Sequence, residues 1–173
     1  MTQTCAPGTI VITSGALARY AVFSMALLGL DRPLETTMQW RTGVNIAKNL
    51  NEGFAEVEGE WLWVMGDDHL FAPHILQRLL AHQVDIVSPL VLSRRYPFHP
   101  VVYKERLPNG EFLLCPFNEL PSSGLMRVSG VAGAGMLVQR YVLEKITAPY
   151  FETGQFRSDL LSEDLHFQAK AQE

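Results

Sequence analysis

WLWVMGDDHLFAPHILQRLL, residues 61–80, joins three kinds of sequence in one short run. Trp61 to Met65 are apolar and read as a buried strand. Gly66, Asp67, Asp68 and His69 follow without a spacer. Pro73 then stands where a first helical turn tolerates proline, and Ile75, Leu76, Leu79 and Leu80 form a helical stripe. Adjacent carboxylates repel each other unless a cation or a set of donors compensates them. One reading of Asp67 and Asp68 is therefore a divalent-metal site completed by substrate phosphates, because hard carboxylate oxygens suit Mg²⁺ or Mn²⁺. The other is a solvated strand-to-helix turn in which Asp68 or His69 caps the helix.

The flanking sequence places this mouth in a sheet. GTIVIT (residues 8–13) is a β-branched run and reads as a buried strand. Ser14 and Gly15 break it, and Ser14 is suited to cap a helix from Ala16 to about Gly29. LETTMQW (residues 34–40) reads as a second, weaker strand. Val44, Ala47, Leu50, Phe54 and Val57 then recur at helical intervals, and Gly59 ends that helix. VDIVSPLVL (residues 84–92) reads as a fourth strand. Strands alternating with helices imply right-handed crossovers and a mainly parallel sheet, in which ligands bind at the carboxyl ends of the strands. Thr13, Ser14, Asp67 and Asp68 all fall at such ends. The fold class is thus α/β and Rossmann-like, with a mainly parallel central sheet flanked by helices.

The second half differs. RRYPFHPVVYKERLPNGEFLL (residues 94–114) reads as a loop and then a small hairpin turning at Pro108–Gly110. GLMRVSGVAGAGMLVQR (residues 124–140) reads as a strand interrupted by glycines. RYVLEKI is a short helix, APYFETGQFRS (residues 148–158) a loop, and SEDLHFQAKAQE (residues 162–173) a helix capped by Ser162.

The chain has 173 residues, 47% of them hydrophobic, and a formal net charge of −4. That length predicts one domain, 1–173. A weakly acidic chain without a basic run is a poor partner for nucleic acid. Cys5 and Cys115 form no CxxC motif, which fits a reducing, cytoplasmic setting rather than a zinc site. ALARYAVFSMALLGL (residues 16–30) is too short to span a bilayer and carries Arg19, so a soluble protein is predicted. That helix is apolar nearly all round, which predicts burial in the core or in a homo-oligomer interface.

Other residues carry weaker signals. Gly130, Gly133 and Gly135 let backbone approach a ligand closely, or mark a bulged strand. Glu163 and Asp164 complement a helix N-terminus, or one of them serves as a general base. Arg41, Lys48 and Asn49 offer donors to a nucleotide, or form a solvated face. Arg94 and Arg95 precede the loop and offer a phosphate contact, for which the sequence gives no supporting pattern. His166 reads as structural, and His74 and His82 as surface positions.

Taken in order, the first-strand loop, AKN, GDDH, GAGM and SED resemble the GT-A glycosyltransferases, in particular the family-two-like inverting group. The resemblance runs from about Gly8 to Glu173. It implies a single GT-A domain, with a nucleotide-binding half (1–92) and an acceptor-binding and catalytic half (93–173), that transfers a sugar from a nucleotide-sugar donor to an acceptor hydroxyl, with Mn²⁺ or Mg²⁺ as cofactor. By resemblance, Thr13 and Ser14 touch the nucleoside, and Lys48 and Asn49 match an Arg-Asn pair near the nucleotide. Gly66, Asp67 and Asp68 match the DxD metal motif, with Asp68 as its last acid and Gly66 where the first acid stands. Gly133, Ala134 and Gly135 match the glycine-rich segment beside donor and acceptor. Glu163 and Asp164 match the ED pair, whose Asp is the base. The residues alone leave open a nucleotidyltransferase, or a nucleotide-sugar-binding domain without turnover.

Overall fold

The computed structural model describes residues 5–15, 20–152, 154–156 and 159–173. Three β-branched or aromatic runs make the first strands: β1 (Thr9–Ser14), β2 (Thr37–Thr42) and β3 (Trp61–Gly66). They lie parallel, with β1 between the other two. Between them run α1 (Ala21–Leu28) and α2 (Ile46–Ala55). After β3 come α3 (Ile75–Ala81) and the short β4 (Ile86–Val87). The second half supplies β5 (Val102–Arg106), β6 (Phe112–Leu114), β7 (Gly130–Val131), β8 (Leu137–Gln139), α4 (Arg140–Lys145), β9 (Gly154–Phe156), β10 (Asp159–Leu161) and α5 (Glu163–Ala171).

The central sheet has the order β2-β1-β3-β8-β4. β8 runs antiparallel to both β3 and β4, so the other four strands share one direction. Strand periodicity sends alternate side chains to opposite faces. Ile10, Ile12, Trp61, Trp63 and Met65 pack on one face with Phe23 and Leu27 of α1 and Leu76 and Leu79 of α3. Val11, Leu62, Val64 and Val138 pack on the other with Leu50 and Phe54 of α2, Val142 and Leu143 of α4, and Phe167 of α5. The result is a helix–sheet–helix sandwich of the GT-A type. A second, antiparallel sheet has the order β6-β5-β7. Its hairpin turns where Pro108–Gly110 predicted, with Gly110 N–H donating to Leu107 O at 2.8 Å.

Several expectations need correction. The glycine-interrupted strand is two strands in two sheets: β7 joins the small sheet and β8 the large one. β2 begins three residues later than its apolar start at Leu34, because Leu34 to Thr36 form a turn over Pro33. Val44 stands outside α2 and is exposed, since Asn45 caps the helix by accepting from Lys48 N–H at 2.9 Å. The first turns of the expected helix 16–29, with Arg19, lie outside the described residues. Its described part buries only Phe23 and Leu27, while Val22, Met25 and Leu28 face outward. The predicted loop 148–158 contains β9, which pairs with β10. No described helix is long and apolar enough to cross a membrane.

Candidate active site

The parallel register sets the carboxyl ends of β1, β2 and β3 abreast, with Thr13 opposite both Arg41 and Gly66. A hydrogen-bonded chain ties these ends together. Asn49, buried on α2, donates through Nδ2 to Gly43 O at 3.0 Å. Gly43 N–H donates to Ser14 O at 2.9 Å. The Ser14 hydroxyl donates to Asp67 Oδ2. Thr13 Oγ1 reaches Met65 O at 3.5 Å. Ser14 thus points its hydroxyl at the acidic turn, while the first turn of the helix it is expected to cap lies outside the described residues.

The two acids are compensated separately. Asp67 accepts from Ser14, whereas Asp68 pairs through Oδ2 with Arg94 Nη2. His69 Nδ1 lies 3.1 Å from Asp68 Oδ1 without the alignment of a hydrogen bond. Neither Asp68 nor His69 caps α3, whose N-cap residue is His74 with no side-chain bond. The simple capping explanation therefore fails. Among the described residues no group of three or more His, Cys, Asp and Glu forms a cage that could hold a metal alone. Two hard carboxylates at a strand mouth fit a cation whose remaining positions are filled by diphosphate oxygens and water, the usual habit of Mg²⁺.

The glycine stretch and α5 close the other side. Gly135 N–H donates to Val64 O at 2.7 Å, and Trp63 Nε1 donates to Gly135 O at 2.9 Å. These bonds set Gly133–Gly135 beside the end of β3. Gly135 has φ +93°, a conformation open to glycine. Gly133 N–H donates to Asp164 Oδ2 at 3.0 Å. One turn on, Gln168 exchanges hydrogen bonds of 2.8 Å with both backbone groups of Val131. Another turn on, Gln172 donates to Ser129 O at 2.7 Å. Side chains four residues apart share a helix face, and alternate residues of an extended chain share an edge, so this ladder fixes α5 along 129–133. Asp164 Oδ1 accepts from Leu165 N–H at 2.9 Å and from the Ser162 hydroxyl. Ser162 occupies the predicted N-cap position, but its hydroxyl orients Asp164 instead of capping the backbone.

Tyr103 of β5 belongs to the same corner. Burial first, and then the charge of Asp164, hold its phenol above the ordinary range, so it stays protonated. Sequence reading missed Tyr103 and the pairing of Arg94; β5 of the small sheet brings in the first and the loop closed between Leu92 and Pro100 the second, and no spacing announces either. The structure thus gathers Thr13, Ser14, Asn49, Asp67 and Asp68 at the strand ends, and sets Gly133, Ala134, Gly135 and Asp164 beside them. Arg41 and Lys48 turn to acids of α2 and its C-cap: Arg41 Nη2 reaches Glu56 at 2.5 Å, and Lys48 Nζ lies 3.7 Å from Glu52. Glu163 is half-exposed in the first turn of α5.

Comparison with known proteins agrees with this architecture. A solved structure, A197 from STIV, superposes with a TM-score of 0.61 at 14% identity, over 95% of this chain and 77% of that one. At that identity the likeness concerns the fold. No curated protein matches. The family model described as glycosyl transferase family 2 matches residues 38–147. That span carries Asp67, Asp68 and Gly133–Gly135, while Thr13, Ser14 and Asp164 lie outside it. On this match, covering most of the chain, the protein belongs to glycosyl transferase family 2.

Proposed function

We propose that the chain moves a sugar from a nucleoside-diphosphate sugar to an acceptor hydroxyl, with inversion at the anomeric carbon. The observation that carries this reading is Asp164, anchored to the Gly133 N–H in a segment hydrogen-bonded to the end of β3, next to Asp67 and Asp68. Thr13, Ser14 and Asn49 line the nucleoside side. Arg41 and Lys48 flank it and contact the nucleotide after release from Glu56 and Glu52. Gly133, Ala134 and Gly135 present backbone to the sugar, and Glu163 flanks the acceptor. A divalent cation, Mn²⁺ or Mg²⁺, bound by Asp68 and Asp67 with the diphosphate would neutralise the charge of the leaving group.

Asp164 takes the proton of the acceptor hydroxyl. The acceptor oxygen then bonds to the anomeric carbon from the face opposite the leaving group, and the bond to the diphosphate oxygen breaks. Its hydrogen bonds to Gly133, Leu165 and Ser162 hold the carboxylate in one orientation for that transfer. General-base assistance is worth roughly 10²–10⁴ in rate. Asp164→Asn should therefore lower release of nucleoside diphosphate from the cognate donor by about that factor, while circular dichroism stays unchanged. Undiminished turnover by a folded Asp164→Asn protein would refute the assignment.

A further inference from the structure

Arg94 stands 26 positions from Asp68 in the chain and still forms the charged contact of that carboxylate. The segment that carries it is built as a closed loop. Ser93 N–H donates to His99 O at 2.7 Å, Val101 N–H to Val91 O at 2.9 Å, and Phe98 N–H to Arg95 O at 2.8 Å. The bridge between Leu92 and Pro100 closes its base. The loop thus holds Arg94 over the mouth of β3. The two partners differ sharply: the Asp68 side chain is 16% exposed and that of Arg94 is 80% exposed. An exposed guanidinium loses little on reorienting, whereas the half-buried carboxylate stays where β3 puts it.

We infer that Arg94 is a resident cation of the acidic corner, holding Asp68 while the site is empty and passing to the donor's diphosphate when the site fills. This rests on the donor reading above. A guanidinium presents a planar fork of N–H donors that matches carboxylate and phosphate alike, so one side chain serves both states. In the empty state Arg94 competes with a divalent cation for Asp68. In the filled state it adds a second positive contact to the diphosphate. Its removal therefore has effects of opposite sign on the two ligands, which general damage to the loop does not produce.

The test titrates Mn²⁺ alone by electron paramagnetic resonance, then inorganic pyrophosphate at saturating Mn²⁺. It compares the full chain with Arg94→Gln, Arg95→Gln and Asp68→Ala. The expected result is that Arg94→Gln binds Mn²⁺ about tenfold more tightly and pyrophosphate about tenfold more weakly, the size of one hydrogen bond to a charged group. Arg95→Gln should leave both constants unchanged. If both ligands bind and depend on Asp68 but Arg94→Gln alters neither, or shifts both in one direction, the inference falls and the donor reading stands. An equal effect of Arg95→Gln also overturns it, by reducing Arg94 to background charge. If neither ligand binds, or Asp68→Ala changes nothing, the donor reading falls and takes this inference with it.

Discussion

A methyl group at Gly133 would stand 2.8 Å from the Asp164 Cβ, closer than two such carbons approach without a shift. Gly133→Ala must therefore push α5 or the glycine segment aside. Overpacking of this kind costs about 1–3 kcal/mol, and here it also displaces the carboxylate assigned as base. Gly133→Ala should lower turnover more than it lowers thermal stability; an active enzyme with an unchanged melting temperature would contradict the contact. Gly66 is constrained in a related way. A Cβ there would lie 3.0 Å from both Asp68 Oδ1 and His69 Nδ1. The missing first acid of the DxD pattern thus leaves room for the Asp68–His69 contact. The close approach at Gly133 and the acid pair Asp67–Asp68 at a strand end were legible in the sequence, because special residue types stand there. Tyr103 and Arg94 were not legible, because each reaches the corner through long-range pairing in the second half.

α5 combines anchoring and packing along one stretch. Phe167 is fully buried and stacks on Phe151, with ring centroids 4.9 Å apart, and meets Phe54 edge-on at 5.4 Å. Phe167→Ala should destabilise the fold by about 3–5 kcal/mol, the usual cost of emptying an aromatic core site, as read from urea unfolding. Its neighbour His166 is buried, with Nε2 3.2 Å from Glu152. Burial holds its imidazole below the ordinary 6.5, outweighing the opposing pull of Glu152. The unfolded chain takes up the proton first as pH falls. Stability contributed by neutral His166 is thus complete above about pH 6.5 and declines below it, down through the lower folded value. His166→Gln should flatten the loss of stability between pH 7.5 and 5.5; an identical pH slope in the variant would refute this. The helix itself was legible from its SED start. The β9–β10 hairpin was not, because its glycine and polar residues lack the alternation that marks a strand.

The molecule as a whole shows why pattern outlasts sequence identity. At 14% identity with A197 the same architecture persists, because alternating strands and helices with two-sided apolar strands define the sandwich. β1, α2, β3 and α3 were readable from that alternation. The antiparallel insertion of β8 was not, because strand direction follows from the route of the preceding chain through the small sheet and leaves no mark in local periodicity. Nor does periodicity report which side chains cross between the halves, and that crossing completes the site. Only a folded chain brings Ser14, Asp67, Gly133 and Asp164 together, so donor binding reads the whole arrangement at once. The most direct measurement is the melting temperature of the full chain with a panel of nucleoside-diphosphate sugars, each with and without Mn²⁺, for wild type and Asp68→Ala. A donor at a hundred times its dissociation constant adds about 2.7 kcal/mol, roughly 5–11 °C for a chain of this size. The account predicts a Mn²⁺-dependent rise for one class of nucleobase, lost in Asp68→Ala. A folded wild type whose melting temperature answers to no nucleotide sugar, with or without Mn²⁺, would contradict it.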